Sequence, residues 1–363
     1  MRRRSFLAAS TALLATAGVA HGAARSTSGG LPALTVNGSD ASMPSAEFFE
    51  LNRKGGVGCV MINGWGGESL SDYAEMQTRF FSDGSRRLVR RYEDVLDAQA
   101  KGQLAVVLGN QSADTFASAA PGNDWGFMSA KPSIHLEEHY KGGLRILNFC
   151  YNLSNQFGGG CLEPDIPLTA SGRYLQDAME SMGILVDTAG HTGRRTALDV
   201  TKRAKKPLIC SHANVMALNP NPRCLTDDVI RAIADTGGVV GITASEDLMQ
   251  RNAKTAGKAL PRCTLSRFAD EFDYVRRLVG ADHVGVGPDF VYGKSMPDGL
   301  GRSMVFPPDM VIPQNPLRYA VGFEDPSQFQ NLPAELRRRG WPQGDIAKVM
   351  GQNWLRVYRA VFV

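Results

Sequence analysis

Between Leu185 and Arg223 the chain uses one local pattern twice in succession. A short apolar run ends at a histidine, and a polar turn and a helical stretch follow. LVDTAGH leads into one helix, and PLICSH leads into ANVMALNPNPR. The two histidines, His191 and His212, are 21 positions apart, which is the span of a strand, turn, helix and strand. A parallel barrel presents metal ligands at its C-terminal rim in this way. Imidazole nitrogen suits zinc, yet spacing alone leaves two hydrogen-bonded surface histidines as the simpler account.

The same alternation runs through the rest of the chain. Eight apolar runs read as strands: Leu34–Ser39, Val57–Asn63, Leu104–Leu108, Leu144–Cys150, Ile184–Thr188, Leu208–Ser211, Val239–Thr243 and Val284–Gly287. Most are nearly continuous in apolar residues, as strands covered on both faces must be. Helical patterns separate them. Leu168 to Gly183 carries Leu175, Ala178, Met179 and Met182 at helical spacing. Thr226 is placed to cap a helix whose first turn holds Asp227 and Asp228, and Leu265 to Gly280 is a third. Ile346 to Val361 reads as one amphipathic closing helix. Eight strand–helix units predict an α/β fold, a (β/α)8 TIM-like barrel over residues 34–363. Ser112 to Pro132 reads as a loop over the rim, and Tyr292 to Gln330 as a long Pro-rich excursion.

The start of the chain has a different character. Arg2, Arg3 and Arg4 precede Ser5-Phe6-Leu7 and an Ala-rich apolar run that ends in small residues. That run is too short to span a bilayer, and residues 1–23 read as a cleaved signal of twin-arginine type, with 24–33 a flexible leader. An ordinary secretory signal with a basic start is the alternative. Either implies a periplasmic or secreted protein. Cleavage removes three of the 40 basic residues, so the mature chain stands near neutral against its 36 acids. Basic residues do not cluster with aromatics, which argues against nucleic acid as a partner. Arg337 to Gly340 reads as a solvated helix end. The six cysteines form no CxxC pair, so structural zinc is not expected. Cys59 and Cys210 read as buried thiols, whereas Cys224 and Cys263 lie where they could pair after export.

Other residues could carry chemistry. Asp289 ends the run GVGPD, where a carboxylate can take a proton from an activated water. Arg223 follows the rigid loop Asn219 to Pro222 and could clamp a substrate carboxylate. A turn aspartate and a solvated arginine are the plainer accounts. Tyr151 and Asn152 end a strand and could face the site. His135 and His139 are four apart on a helix of the outer ring, and His283 begins the last strand at the opposite rim; all three read as structural.

Taken together, LRILNFCYNLSNQFGGGCLEPDIPLTASGRYLQDAMESMGILVD, PLICSHANVMAL with its following Pro-Arg, DDVIRAIADTGGVVGI, FADEFDYVRRLVGADHVGVGPDF and GQNWLRVYRAV resemble the membrane (renal) dipeptidase family. The likeness runs from about Leu34 to the end. It implies an amidohydrolase-type barrel that hydrolyses dipeptides with two zinc ions. By that resemblance His191 and His212 are metal ligands, Arg223 binds the substrate carboxylate, Asp289 is the acid/base and Tyr151 faces the substrate. Many members of that family dimerise, so a homodimer is one assembly the resemblance allows.

The chain departs from the pattern at its front. The family's His-x-Asp pair is replaced within NGSDA, where Ser39 and Ala41 fill the two places. Asp40 is one position off, and a one-residue slip at a strand end turns a side chain away. The bridging glutamate is missing from GNQSAD, where Asn110 stands at its place and Asp114 lies too far along. An extra residue precedes His191, expected to rotate or displace it. Two imidazoles, with Asp289 as a conceivable third ligand, predict one weakly held zinc ion at most, or none. The expected function is metal-assisted dipeptide hydrolysis by an exported protein with an incomplete metal site. The alternative is a degenerate pseudo-enzyme that binds a small peptide-like ligand.

Overall fold

The computed structural model describes residues 33–63, 70–116, 133–255, 258–291 and 317–363. The signal, all but the last residue of the leader, and most of the two irregular stretches (117–132 and 292–316) lie outside the described residues.

All eight expected strands form, with ends shifted by a residue or two. They are β1 (Thr35–Asp40), β2 (Val57–Ile62), β4 (Leu104–Asn110), β5 (Leu144–Asn148), β6 (Leu185–Asp187), β7 (Ile209–Ala213), β8 (Val239–Ile242) and β9 (Val284–Val286), with a short β3 (Arg86–Leu88) between β2 and β4 in the chain. Every ladder is parallel, in the order β1-β2-β4-β5-β6-β7-β8-β9. The sheet curls into a nearly closed barrel. Ala41 N donates to Phe290 O at 2.8 Å and Asp289 N to Ser39 O at 3.0 Å, which brings the last strand back beside the first. Sequence reading missed β3, whose polar residues lack an apolar run. It pairs with the lower half of β4, and β5 takes the upper half.

Alternation along the strands makes two cores. Val36, Cys59, Met61, Ala105, Val107, Ile146, Leu185, Ile209 and Val239 pack inside the barrel around Trp354. Val60, Ile62, Val106, Leu108, Leu147, Val186 and Val240 face the outer helices. Both faces are dry, which explains why the strands read as continuous apolar runs.

The helices after β5 and β7 span Ala170–Met182 and Asp227–Asp235, and the one before β9 spans Leu265–Val279. Gly183 ends the first with φ 79°, a left-handed position that favours glycine. The expected closing helix is not continuous. It divides into Gln343–Ala347 and Asn353–Val361 around an irregular turn at Gly351. A Cβ at Gly351 would fall 1.8 Å from Leu34 O, so this close approach to the chain beneath β1 requires glycine.

Two further expectations are corrected. Cys224 and Cys263 do not pair. Both are buried free thiols, and the Cys224 Sγ–H donates to Leu248 O at 3.4 Å. Nor is Arg339 a solvated helix-end cation. It binds Glu335, Asp270 and Asp273 at 2.6–2.8 Å and ties the helix Asn331–Arg338 to the helix Leu265–Val279. His139 lies in the outer helix Ser133–Gly142 against the Tyr73 hydroxyl at 2.9 Å, and His283 donates to Gly238 O at 2.9 Å. The side chain of His135 lies outside the described residues. Among the described residues no helix is long and apolar enough to cross a membrane.

Candidate functional site

The end of β1 sets the floor of the rim. Its register against β2 shifts between Asn37 and Asp40. This shift breaks the strict alternation of side chains, and Ser39 points into the barrel mouth while Asp40 points out. Asp40 accepts from Asn37 Nδ2 at 2.8 Å and from Ser42 N at 3.0 Å. Asn37 in turn reaches Asn52 on the first outer helix. The carboxylate is therefore spent on the strand–helix packing, as a one-residue slip demands. Ala41 is buried, its backbone N–H is taken by Phe290 O, and its side chain has no polar atom.

His212 stands at the top of β7, fully buried. Its Nδ1 meets Ser211 Oγ at 2.8 Å and Ser39 Oγ at 3.1 Å, and Asn63 Nδ2 donates to Ser39 Oγ at 2.9 Å. Its Nε2 has no hydrogen-bond partner among the described residues and faces Asp289 Oδ2 at 3.9 Å. Below it, Asp187 accepts from Ser211 N at 2.9 Å, and burial pushes its carboxyl up to about 6. The Ser39 hydroxyl thus holds His212 by its ring.

His191 follows β6 and stays at the rim despite the extra residue before it. Its Nδ1 meets Asn152 Oδ1 at 2.7 Å, and its Nε2 meets Arg223 Nη2 at 3.1 Å. The Tyr151 ring stacks on it at 4.0 Å, and the His212 ring meets it edge-on at 5.1 Å. Burial, with the Arg223 charge beside them, holds both imidazoles well below the usual histidine range, which favours their neutral forms. Burial also pushes the Tyr151 hydroxyl up to about 12. Arg223 is itself buried, with its second terminal nitrogen, Nη1, lacking a hydrogen-bond partner among the described residues. Gly190 makes this possible, because a Cβ there would fall 2.3 Å from Nη1 and 2.2 Å from Arg223 O.

Asp289 completes the rim with a φ of 58°, unusual for any residue but glycine. Its backbone is held by Ser39 and by the Tyr319 hydroxyl, which donates to Asp289 O at 3.1 Å. Gln111 Nε2 donates to Oδ1 at 3.4 Å. The last residue of β4, Asn110, bends its side chain back to accept from Ser112 N at 3.1 Å, and Asp114 accepts from Asn155 at 2.7 Å. Among the described residues no group of three His, Cys, Asp or Glu side chains stands close enough to hold a metal ion. Beside Gly190, a largely apolar cavity of about 750 Å³ opens on the flank, lined by Leu153, Leu162, Pro164, Met216, Leu225 and Val229 among others.

The structure therefore brings Ser39, Tyr151, His191, His212, Arg223 and Asp289 to one rim. It keeps Asp40 and Asp114 away from it. Sequence reading missed Asp187 and Ser211 below His212, Asn63 beside Ser39, and the roles of Asn152 and Gly190. A carboxylate inside the apolar run LVD was a signal for Asp187, and the non-glycine left-handed conformation of Asn152, φ 61°, has none.

Comparison with known proteins agrees with this fold. The family described as Membrane dipeptidase (Peptidase family M19) matches residues 77–308 and 317–362. The chain belongs to the membrane dipeptidase family. An uncharacterized protein of the pqqA 5′ region of Klebsiella pneumoniae is 30% identical over 234 residues, 62% of this chain and 76% of that one. Dipeptidase ataJ of Aspergillus terreus is 32% identical over 181 residues, 49% of this chain but only 36% of that longer protein. Among solved structures, an amidohydrolase from Pseudomonas aeruginosa superposes with a TM-score of 0.75 at 26% identity, covering 91% of this chain and 96% of the other. Members of this dipeptidase family are metallopeptidases built on the same barrel.

Proposed function

We propose that this chain is an exported member of the family that retains a receptor for a small dipeptide-like molecule and has an incomplete metal centre. The observation that carries this reading is the commitment of His191: Asn152 and Arg223 take both ring nitrogens. The positions where the family pattern has its remaining ligands hold Ser39, Ala41 and Asn110, none of which is an anionic or imidazole donor. Zinc would draw on His212 and Asp289 alone, which is too small a donor set for a firmly held ion. When bound in relatives of full ligand set, the metals supply activated water. Here the described residues do not fit that pair, and no step is assigned to it.

What the rim can do is bind. Arg223 Nη1 is a buried donor with no partner among the described residues, and an incoming carboxylate would satisfy it. Tyr151 stacks on His191 and fixes the ring that orients the guanidinium. A panel of L,L and L,D dipeptides, assayed for binding and for cleavage with and without zinc, tests the proposal. Binding without appreciable turnover is expected, and Arg223→Ala should weaken it by about 1.5–3 kcal/mol, the worth of a hydrogen bond to a charged group.

A second reading has its own support. His212 Nε2 lacks a partner among the described residues and faces the Asp289 carboxylate, so one zinc could assist hydrolysis there. Rapid zinc-dependent cleavage, abolished by His212→Ala, would establish that reading and overturn the first. We also propose export by the twin-arginine route, supported by Arg3-Arg4-Ser5-Phe6-Leu7. Replacing Arg3 and Arg4 by Lys should block delivery to the periplasm; unchanged delivery would exclude that route.

A further inference from the structure

We propose that the Arg223 guanidinium stands in for a metal ion on His191, admitted there by the missing side chain of Gly190. This rests on the rim geometry alone and stands whether or not a dipeptide is the ligand.

The argument begins with the proton on His191. Asn152 Oδ1 can only accept, so the 2.7 Å contact places the proton on Nδ1 and leaves the lone pair on Nε2. Arginine can only donate, and its Nη2 meets that lone pair at 3.1 Å. The lone pair a divalent ion would use is therefore already held by a fixed cation. The second imidazole supports the comparison with a metal ion. The His191 and His212 rings are 5.1 Å apart at 68°, and the unpartnered ring atom of His212 is also its Nε2. With metal–nitrogen bonds of about 2.0–2.1 Å, that spacing suits two imidazoles converging on one tetrahedral ion.

Gly190 decides which cation sits there. A Cβ at that position would overlap both the Arg223 carbonyl and Nη1. Any side chain would push the guanidinium out of line with Nε2. The cost of the arrangement is a buried guanidinium that makes no salt bridge among the described residues and feels the Asp187 carboxyl only through its field, which proteins seldom tolerate without a compensating role. A permanent positive charge facing the rim supplies that role: it is an anion receptor that needs no metal. One terminal nitrogen is anchored on His191 and the other is left to donate.

Two measurements test the proposal. In the wild-type protein, nitrogen-15 NMR of the histidine rings, assigned with His191→Ala, should show His191 as the Nδ1–H tautomer with an unmetallated Nε2 in zinc-containing buffer. An Nε2–H tautomer, or a zinc-shifted Nε2, would overturn it. Equilibrium dialysis with zinc, paired with visible absorption on cobalt(II) titration, then compares variants. Arg223→Met should bind zinc about tenfold or more tightly than wild type, with new cobalt bands, and Arg223→Met/His191→Ala should lose the gain. Equal zinc affinity in wild type and a folded Arg223→Met would also overturn the proposal. Should Arg223→Met not fold, the wild-type spectrum decides alone.

Discussion

A single missing methyl group governs the rim. Gly190 has no side chain, so Arg223 reaches His191. Because the closest obstacle to a Cβ is the Arg223 backbone carbonyl, rather than the end of a flexible chain, the site cannot relieve the clash cheaply. Gly190→Ala should therefore cost about 1–3 kcal/mol, the usual penalty of overpacking. Urea denaturation measures it, and an unchanged midpoint would mean that Arg223 has another resting place. Ser39 makes a similar point. Its hydroxyl joins Asn63 Nδ2 to His212 Nδ1 in a fully buried corner. Ser39→Ala strands the Asn63 amide, and a loss of about 1–3 kcal/mol is expected in the same assay.

At the scale of elements, the C-terminal helices show how charge fastens the outer ring. Glu335 accepts from Arg338 and from Arg339, and Arg339 extends the link to Asp270 and Asp273 across the neighbouring helix. The hydrogen bond from Arg338, with those from Arg339, lowers the Glu335 carboxyl to about 2. A carboxyl that is more acidic folded than unfolded stabilises the fold above its unfolded value of about 4.3. That contribution is lost as pH falls from there through about 2. Glu335→Gln should accordingly flatten the acid limb of thermal stability across this window while lowering stability at neutral pH. Melts in buffers of fixed ionic strength would show it, and an unaltered acid limb would count against the network.

Over the whole molecule, one side chain closes the base of the barrel. Trp354, on the last helix, is fully buried. Its indole lies where Cβ atoms at Gly38, Gly241 and Gly285 would come within 2.3–3.1 Å. Three strands thus give up their side chains so that one aromatic ring can fill the interior. The same helix caps the floor: Arg356 donates to Gly237 O and Asp282 O, and Asn353 Nδ2 to Val284 O. Trp354→Ala should cost about 3–5 kcal/mol, as large aromatic deletions from cores do. Because base and rim are at opposite ends of the strands, the folded variant should still hold the His191–Arg223 contact. Histidine NMR on the variant checks this, and a shifted His191 would show that the plug also sets the rim.

Much of this was written locally. A strand covered on both faces must be apolar along its whole length, so eight such runs between helical patterns dictated a parallel barrel and its strand limits to within a residue or two. The positions after β6, β7 and β9 followed, since a strand's C-terminal end lies at the rim whatever its neighbours. That Asp40 stands one position off was legible, but its outward turn depends on the register shift between Asn37 and Asp40, which breaks the alternation along β1. β3 escaped because Arg86-Arg87-Leu88 holds a single apolar residue and is exposed in part, and only the vacant lower edge of β4 recruits it. The break at Gly351 escaped because it answers to Leu34, more than 300 residues away in the chain. The partners of Arg223 and Arg339 escaped as well. A long cationic side chain can reach many acceptors, and which one it meets depends on distances across space that no local pattern records. The sequence by itself therefore determined the barrel and the order of residues around its rim. Only the tertiary structure decided that a guanidinium occupies His191, because that contact needs the space left by Gly190, the ring orientation set by Asn152 and a loop 32 residues further on.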